Sequence, residues 1–304
     1  MTTKKTRKPK RSNSKKDIST ARAFFYVASF FIFLIVSVFV LHYKQGLQLY
    51  ICTNYGKFCD EIIQSDPVSD GAILNPLCKS ITRHKVSAYN IRNLELIKEH
   101  ETNHIFGIDI SEYQGDVNWN DIYCTEDAAK IDFIISRATA GIDKVDDKFK
   151  VNWKNSRKKG FIRGAYHYYR PDEDPTEQAL NFIETVTLYP SDLPPILDIE
   201  KKPKKISKEQ FITNLNIWLK IIKKHYKIQP IIYSGQSFHE DYLQEHFPDY
   251  LTWIANYNFF TETMQPNWHI WQFTEKGYVN GIKGNVDVNI FRGNIEDLKE
   301  LTIK

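Results

Sequence analysis

Apolar runs of strand length recur along the second part of the chain, separated by polar stretches that favour helices. Eight such runs begin at Ile105, Phe133, Ile162, Pro195, Ile231, Thr252, Ile270 and Val286. The first four intervals are close to the roughly 30 residues that a strand, a crossover helix and two loops require, and the last three are too short for full helices. The pattern predicts an irregular eight-stranded α/β barrel over residues 104–304, with few helices in its final third.

Helix signals lie in three of the long intervals. Asp174-Pro175-Thr176-Glu177 combines a capping Asp, a Pro at the first helical position and a Glu three residues after the cap. Ser207 precedes a second helix, whose apolar residues are spaced to share one face: Phe211, Leu215, Trp218, Leu219 and Ile222. Residues 147–159 are predicted to form the third.

An uninterrupted apolar segment runs from Ala23 to Leu41 and carries no charge. At 1.5 Å per residue, these residues extend about 28 Å as a helix, close to the thickness of a bilayer core. We interpret residues 23–41 as an uncleaved transmembrane anchor. A cleaved signal peptide is the alternative, which the length of the run and the lack of an A-x-A-like site after Val40 disfavour.

The charge distribution orients this segment. Residues 1–22 contain nine Lys or Arg and one acid, and the rest of the chain contains 32 basic and 36 acidic residues. The positive-inside rule therefore places the tail in the cytoplasm and everything after residue 43 outside, in the periplasm or the extracellular space. Because the adjoining apolar span explains the basic tail, no nucleic-acid partner is predicted.

Residues 42–103 are interpreted as a stalk or small extension to which the sequence assigns no fold. The four cysteines are Cys52, Cys59, Cys78 and Cys124. All lie on the predicted outer side, where disulfides persist. They lack C-x2-C pairs and His partners at zinc-finger spacing, so a metal site is not expected. Three complete pairings remain open, with Cys52–Cys59 the first choice because these residues are close in sequence.

Acidic residues stand at the ends of three predicted strands. Asp109 and Asp287 follow apolar strands, and Asp198 and Glu200 end a third. In an extended strand, side chains two apart share a face, and these two carboxyls begin roughly 6 to 7 Å apart. A single strand-end acid often only caps a helix or starts a turn. Together, the four acids predict an active site at the carboxyl ends of the barrel strands.

Aromatic residues near these acids favour a carbohydrate substrate. Sugar rings present apolar faces with polar rims, which suit a groove of aromatic rings and carboxylates. The candidates are Tyr113, Trp119, Tyr166, Tyr168, Tyr169, Tyr233, Trp253, Tyr257, Trp268 and Trp271. Because aromatic residues make up 14% of the chain, many of these are expected in the core.

His167 raises the question of a metal. Its imidazole could bind zinc beside Asp109 and Asp198, whereas a lone strand histidine is more often hydrogen-bonded core. Because successive strand side chains alternate, Tyr166 and His167 cannot both face the site. We predict that Tyr166 faces it, and that the protein uses neither a metal nor another cofactor.

Six short motifs, in order over residues 104–293, resemble the glycoside hydrolase family 25 lysozymes, or Chalaropsis-type muramidases. They are Gly107–Ser111 with Gln114-Gly115 and Trp119, Gly164–Tyr168, Leu197–Glu200, Trp253–Ala255 with Tyr257, Trp271–Thr274, and Gly284–Asn289. The resemblance implies a flattened (β/α)5β3 barrel. It also implies cleavage of the β-1,4 bond between N-acetylmuramic acid and N-acetylglucosamine in peptidoglycan.

The resemblance also implies roles for the four acids. Glu200 corresponds to the general acid and Asp198 to the second catalytic carboxylate, and close like charges push their pKa values apart. Asp109 and Asp287 either join the catalytic set, bind substrate or tune the pair. We expect retention, with the 2-acetamido group attacking, Asp198 orienting it and Tyr166 assisting; a nucleophilic carboxylate is the alternative. The other predicted substrate contacts are Tyr113, Tyr168, Tyr233 and Trp271.

One departure from the family pattern concerns subsite contacts more than catalysis. The chain has Thr139-Ala140-Gly141 where a Thr-Glu-Gly turn is frequent, and Arg137 where Lys is frequent.

Two other functions remain open. One is a non-catalytic peptidoglycan-binding scaffold anchored in the membrane, and the other is a metal-dependent deacetylase acting on the same polymer.

Overall fold

The structure, a computed structural model, describes residues 96, 100, 104–123, 130–258 and 263–304. The predicted tail (1–22), the predicted anchor (23–41), nearly all of the predicted extension (42–103) and the four cysteines lie outside the described residues. No described helix combines the length and the apolar character that crossing a bilayer requires.

Eight strands close into a barrel, and a short ninth strand extends its edge. The strands are β1 (Ile105–Ile110), β2 (Ile131–Ala140), β3 (Lys144–Val145), β4 (Ile162–Tyr168), β5 (Ile196–Asp198), β6 (Ile231–Gly235), β7 (Thr252–Ala255), β8 (Ile270–Gly277) and β9 (Val286–Phe291). β1 pairs with both β2 and β9, which closes the ring. Neighbouring barrel strands are parallel except around β9, which is antiparallel to β8 and β1. All eight predicted strands are confirmed, and β3 was not predicted.

Helices connect the strands in the first two thirds of the barrel. They are α1 (Phe149–Lys158), α2 (Pro175–Thr185), α3 (Lys208–Tyr226) and α4 (Gln236–Phe238, continued by a π-helical turn over His239–Leu243), and a further helix, α5 (Ile295–Glu300), follows the last strand. The Asp174 carboxylate accepts the Thr176 and Glu177 amides at the start of α2, and the Ser207 hydroxyl accepts the Gln210 amide at the start of α3. The three predicted helices and both predicted caps are therefore confirmed.

Two apolar layers hold the barrel together. Inside it, Phe133 and Ile135 of β2 pack with Ile196 and Trp253. Outside it, α2 and α3 cover the sheet with a second core whose largest buried side chains include Trp218. The inner layer explains the glycine in the first motif, because a Cβ on Gly107 would lie 2.3 Å from the ring of Phe133.

A buried ion pair fixes the loop that leads into β5. The Arg163 guanidinium donates to both Asp192 carboxylate oxygens, at 2.6 and 2.9 Å, and its Cζ lies 3.6 Å from the centre of the Trp153 ring. Both charged side chains are 3% exposed. Removing one partner would leave the other charge buried and unpaired.

We therefore expect Arg163→Met to lower the free energy of unfolding by about 3–5 kcal/mol. Urea denaturation of the two proteins measures the difference. The double variant Arg163→Met/Asp192→Leu is the control, since it removes both charges and should recover much of the loss. A single variant within 1 kcal/mol of the wild type would contradict the assignment.

Candidate active site

The predicted acids meet in one cleft at the carboxyl ends of the strands. A cavity of about 550 Å³ opens there and is lined by Asp109, Asp198, Glu200 and Asp287. Asp109 and Asp198 lie at the ends of β1 and β5, and Glu200 follows two residues later. Because β9 is antiparallel, its second residue, Asp287, lies directly opposite Asp109. Acids from distant parts of the chain thus share one opening.

Asp109 and Asp287 form a hydrogen-bonded pair. Asp109 Oδ2 also accepts Gln272 Nε2 at 2.8 Å and Asn289 Nδ2 at 2.9 Å. Burial raises the pKa of Asp109 to about 6, against the effect of these amide donors, and burial with the neighbouring charge of Asp109 raises the pKa of Asp287 to about 9. Near neutral pH the pair therefore holds one proton, on Asp287, beside an ionised Asp109.

The two amides are themselves held in place. Gln272 Oε1 accepts hydrogen bonds from the hydroxyls of Tyr233, at 2.8 Å, and Tyr257, and Asn289 Oδ1 accepts Trp253 Nε1 at 2.7 Å. Because both amide oxygens are occupied, both amide nitrogens point at the acid pair. This network belongs to the site although the sequence reasoning chose neither amide.

Asp198 and Glu200 form the second pair, joined by a hydrogen bond. Asp198 is 4% exposed, and burial followed by the charge of Glu200 raises its pKa well above the ordinary range. Glu200 is exposed to the cleft, yet the surrounding protein withdraws enough water to raise its pKa too, while Asp198 and Lys201 oppose that rise. The pair keeps a proton to higher pH than isolated carboxyls do.

One oxygen of this pair is enclosed by protein. Asp198 Oδ1 is buried and has no hydrogen-bond partner among the described residues. An ionised carboxylate oxygen that is buried without a partner is costly, which agrees with the raised pKa of Asp198.

Three of the candidate tyrosines, Tyr166, Tyr233 and Tyr257, line the cleft. Tyr166 and Tyr233 are both in its wall, and each ring contacts Trp253, with centroids 6.4 and 4.4 Å apart. Burial, together with the charges of Asp109 and Asp198, raises the pKa of Tyr166 well above its usual value. Its hydroxyl therefore remains a hydrogen-bond donor throughout the physiological range.

Trp271 does not face the cleft, so its predicted contact with substrate is wrong. Its side chain is fully buried, packs against Trp268 and Phe273, and donates Nε1 to the Asn256 carbonyl at 2.9 Å. Neighbouring strand residues face opposite sides, and it is Gln272 that points inward.

Tyr113 and Tyr168 stand at the carboxyl-end edge of the barrel but outside the cavity wall. Tyr113 is 81% exposed, and the Arg137 guanidinium carbon lies 4.7 Å from its ring centre. Tyr168 ends β4 and has the Lys201 ammonium 5.3 Å from its ring centre. Contact of either with substrate stays a prediction.

The departure at Arg137 is part of an ion-pair network beside the cleft. Arg137 Nε donates to Asp146 at 2.8 Å, another of its nitrogens donates to Glu112 at 2.8 Å, and Lys144 lies 2.9 Å from the same Glu112 carboxylate. Arg137 and Lys144 thus hold the segment after β1, which contains Glu112, against β2 and β3.

His167 belongs to the outer core. Its ring nitrogens bond to Thr139 Oγ1 at 2.7 Å and Gln178 Oε1 at 3.1 Å, and its ring stacks on Trp218 at 5.5 Å. Burial lowers its pKa to about 4, so it is neutral at physiological pH. The predicted alternation is confirmed, since Tyr166 faces the cleft and His167 faces away. Within the described ranges, no His, Cys, Asp and Glu side chains gather in a group of three that could hold a metal ion.

Sequence reasoning missed some residues of the cleft wall. Glu275, a fifth acid, directly follows the motif that ends at Thr274, and Phe238 comes from α4. The position of Glu275 directly after that motif was a signal from which the sequence analysis could have predicted it. No sequence signal pointed to Phe238, because a three-residue helix leaves no periodicity to detect.

A closed barrel whose open end gathers carboxylates and aromatic rings in one cleft is the architecture of a glycoside hydrolase. The chain matches the model of glycosyl hydrolases family 25 over residues 108–282, more than half its length. It belongs to that family, and the predicted glycosidase class is confirmed.

Other proteins are similar to this chain over about two thirds of its length. YegX of Escherichia coli (strain K12) is 36% identical over 201 residues, which cover 64% of this chain and 72% of YegX. Lysozyme M1 of Streptomyces globisporus is 30% identical over 219 residues, covering 66% and 72%. The solved family 25 glycosyl hydrolase from Bacillus anthracis is 29% identical with a TM-score of 0.59, covering 67% of this chain and 95% of that one.

Proposed function

We propose that this protein is a muramidase, which cleaves the β-1,4 bond between N-acetylmuramic acid and N-acetylglucosamine in peptidoglycan. The observation that carries the proposal is the convergence of the Asp109/Asp287 and Asp198/Glu200 pairs in one open cleft with aromatic walls. The similarity to Lysozyme M1, a lysozyme by name, supports the same substrate.

Glu200 is the general acid. The raised pKa values of Asp198 and Glu200 keep a proton on the pair to higher pH than an isolated carboxyl would, and the exposure of Glu200 to the cleft lets it deliver that proton to the leaving glycosidic oxygen. Asp198 also lines the cleft but is less exposed than Glu200. As the bond between C1 and the leaving oxygen breaks, the proton of Glu200 passes to that oxygen.

Asp198 orients the substrate's own nucleophile. Asp198 lines the cleft beside Glu200, and with the shared proton on Glu200 its carboxylate accepts the N–H of the 2-acetamido group, whose carbonyl oxygen then attacks C1 with retention. Tyr166 assists from the cleft wall through its protonated hydroxyl. Water then opens the cyclic intermediate and returns a proton to Glu200, which restores the enzyme.

Asp109 and Asp287 tune this machinery rather than act on the bond. The ionised Asp109 raises the pKa of Asp198 through its charge, and Asp287 stores the proton that lets Asp109 remain an anion in a buried place. The Gln272 and Asn289 amides hold that anion.

The Asp109/Asp287 pair predicts how stability changes with pH. An unfolded Asp loses its proton near pH 3.9, whereas folded Asp287 keeps it until about pH 9. The folded state therefore binds more protons between these values, and the free energy of unfolding falls as pH rises, by up to about 1.4 kcal/mol per pH unit from this group. Asp287→Asn should flatten that slope by about one proton, measured by urea denaturation from pH 5 to 8.5.

The exposed Asp249 provides the control for this experiment. Asp249→Asn removes one carboxyl from the surface and should leave the slope unchanged. An Asp287→Asn protein with the wild-type slope would contradict the shared proton.

Residues 23–41 anchor the enzyme in the cytoplasmic membrane, with residues 1–22 inside and the extension 42–103 leading to the barrel (104–304) outside. The basic tail and the uncharged apolar run support this arrangement. Sequencing the N-terminus of the mature protein tests it, since a start beyond residue 41 contradicts an anchor.

Digestion of purified sacculi tests the function. Mass spectrometry of borohydride-reduced products should show reduced N-acetylmuramic acid at the new ends; reduced N-acetylglucosamine would indicate a glucosaminidase. Binding with no new reducing ends would favour the scaffold alternative, and chelator-sensitive acetate release would favour the deacetylase.

A further inference from the structure

A band of lysines begins directly after Glu200. The band, called here the cationic rim, consists of Lys201, Lys202, Lys204, Lys205 and Lys208, and no acid interrupts it. All five residues are exposed. Among the described residues, none of them forms a salt bridge with a carboxylate. The rim is therefore a positive surface without side-chain salt bridges beside an acidic cleft.

Aromatic rings place part of the rim at the cleft wall. The ammonium groups of Lys202 and Lys208 lie 4.9 and 4.8 Å from the centre of the Tyr242 ring. Tyr242 stacks on Phe238 with centroids 4.7 Å apart, and Phe238 lines the cleft. Cation–π attraction to Tyr242 thus holds the two ammonium groups beside a ring that itself stacks on the cleft-lining Phe238.

The backbone of the rim is fixed as well. The amides of Lys204 and Lys205 both donate to the carboxylate of Asp172, at 2.8 to 3.1 Å. These bonds fix the backbone at the rim, and the single negative charge of Asp172 leaves the five lysines with an excess of positive charge.

The chemistry of the proposed substrate indicates that partner. The glycan backbone that fills the cleft is uncharged, which suits a cleft lined by acids. The muramic acid residue next to the scissile bond carries a lactyl group and a stem peptide with free carboxylates. That peptide must leave the cleft within one sugar of Glu200, where the rim begins.

We propose that the cationic rim binds the stem-peptide carboxylates, so that the enzyme prefers peptide-bearing glycan over bare glycan strands. The inference rests on the proposed muramidase function. Charges at the border of a site act mainly on encounter and orientation, and their effect falls as salt screens them.

The test compares two substrates, soluble glycan strands with intact stem peptides and the same strands after an amidase has hydrolysed the lactyl amide, which removes the peptide carboxylates and leaves one lactyl carboxylate on each muramic acid residue. For the wild type, kcat/KM should be about three- to tenfold higher on the peptide-bearing strands, and 0.5 M NaCl should reduce this ratio. In Lys202→Gln/Lys208→Gln the ratio should fall towards one. Lys220→Gln/Lys224→Gln, which removes two exposed charges from the far half of α3, should keep the wild-type ratio.

The outcomes separate this inference from the function on which it rests. If the wild-type enzyme cleaves both substrates with equal kcat/KM, the proposed role of the cationic rim is refuted, whereas the proposed muramidase function is not. Equal loss in both double variants also overturns it. If Lys202→Gln/Lys208→Gln loses binding to phosphatidylglycerol vesicles but keeps the substrate ratio, the rim serves a membrane and the inference fails. Cleavage of neither substrate refutes the muramidase itself.

Discussion

Glu200→Gln is expected to lower kcat on purified sacculi by about 10²- to 10⁴-fold, the usual contribution of a general acid. The amide keeps the shape of the carboxyl but has no proton to give to the leaving oxygen. KM should change little, because the loss falls on the transition state. The release of reducing ends over time, with a range of sacculus concentrations, gives both constants.

Glu245→Gln is the matched control, since it makes the same chemical change at an exposed position in another part of the barrel. It should keep the wild-type rate. A Glu200→Gln protein that still clears sacculi at that rate would remove Glu200 from the role of acid.

Asp198→Asn is expected to lower kcat by about 10²- to 10³-fold, comparable to the loss of one preorganised electrostatic contact to a transition state. The amide cannot supply the negative charge that orients and polarises the acetamido group. A thiazoline analogue of N-acetylglucosamine, which resembles the cyclic intermediate, should therefore bind more weakly to the variant by a similar factor. Inhibition kinetics and calorimetry measure these two losses.

Two results would count against this role of Asp198. One is kcat above a tenth of the wild-type value. The other is full affinity for the thiazoline combined with a large loss of kcat, which would move Asp198 from orienting the nucleophile to supporting Glu200 alone. Asp241→Asn, at an exposed position, is the control.

The barrel could be predicted from sequence because its strands are buried on both faces. Such strands appear as short continuous apolar runs, and their spacing reports whether a helix fits between them. The two residues of β3 lie below the length at which a pattern exists. Capping residues fixed the starts of α2 and α3, since Asp174 and Ser207 act locally and need no tertiary partner.

The direction of each side chain was harder to predict. Alternation requires that Trp271 and Gln272 face opposite sides, but it does not say which of them faces the cleft. An aromatic residue was the more attractive candidate for sugar binding. Register shifts between Arg137 and Thr139 and again after Gln272 also interrupt the alternation. Counting residues along the strand therefore no longer tells which side of the sheet a side chain faces.

The hydrogen-bond network of Gln272 and Asn289 could not be predicted from the sequence for a different reason. Gln272 and Asn289 lie 163 and 180 residues from Asp109, and only the closed register of β1, β8 and β9 brings them together. Neutral amides carry no signal of catalysis on their own. Their role becomes visible when a buried carboxylate is found at their nitrogens.

Four carboxyls in one cleft share their protons unequally, and ¹³C NMR titration of labelled side-chain carboxyls measures this most directly. With Asp198→Asn, Glu200→Gln and Asp287→Asn used for assignment, we expect Asp287 to titrate near pH 9 and the Asp198/Glu200 pair to keep a proton to higher pH than isolated carboxyls do. Four carboxyls that all lose their protons below pH 5 would contradict it.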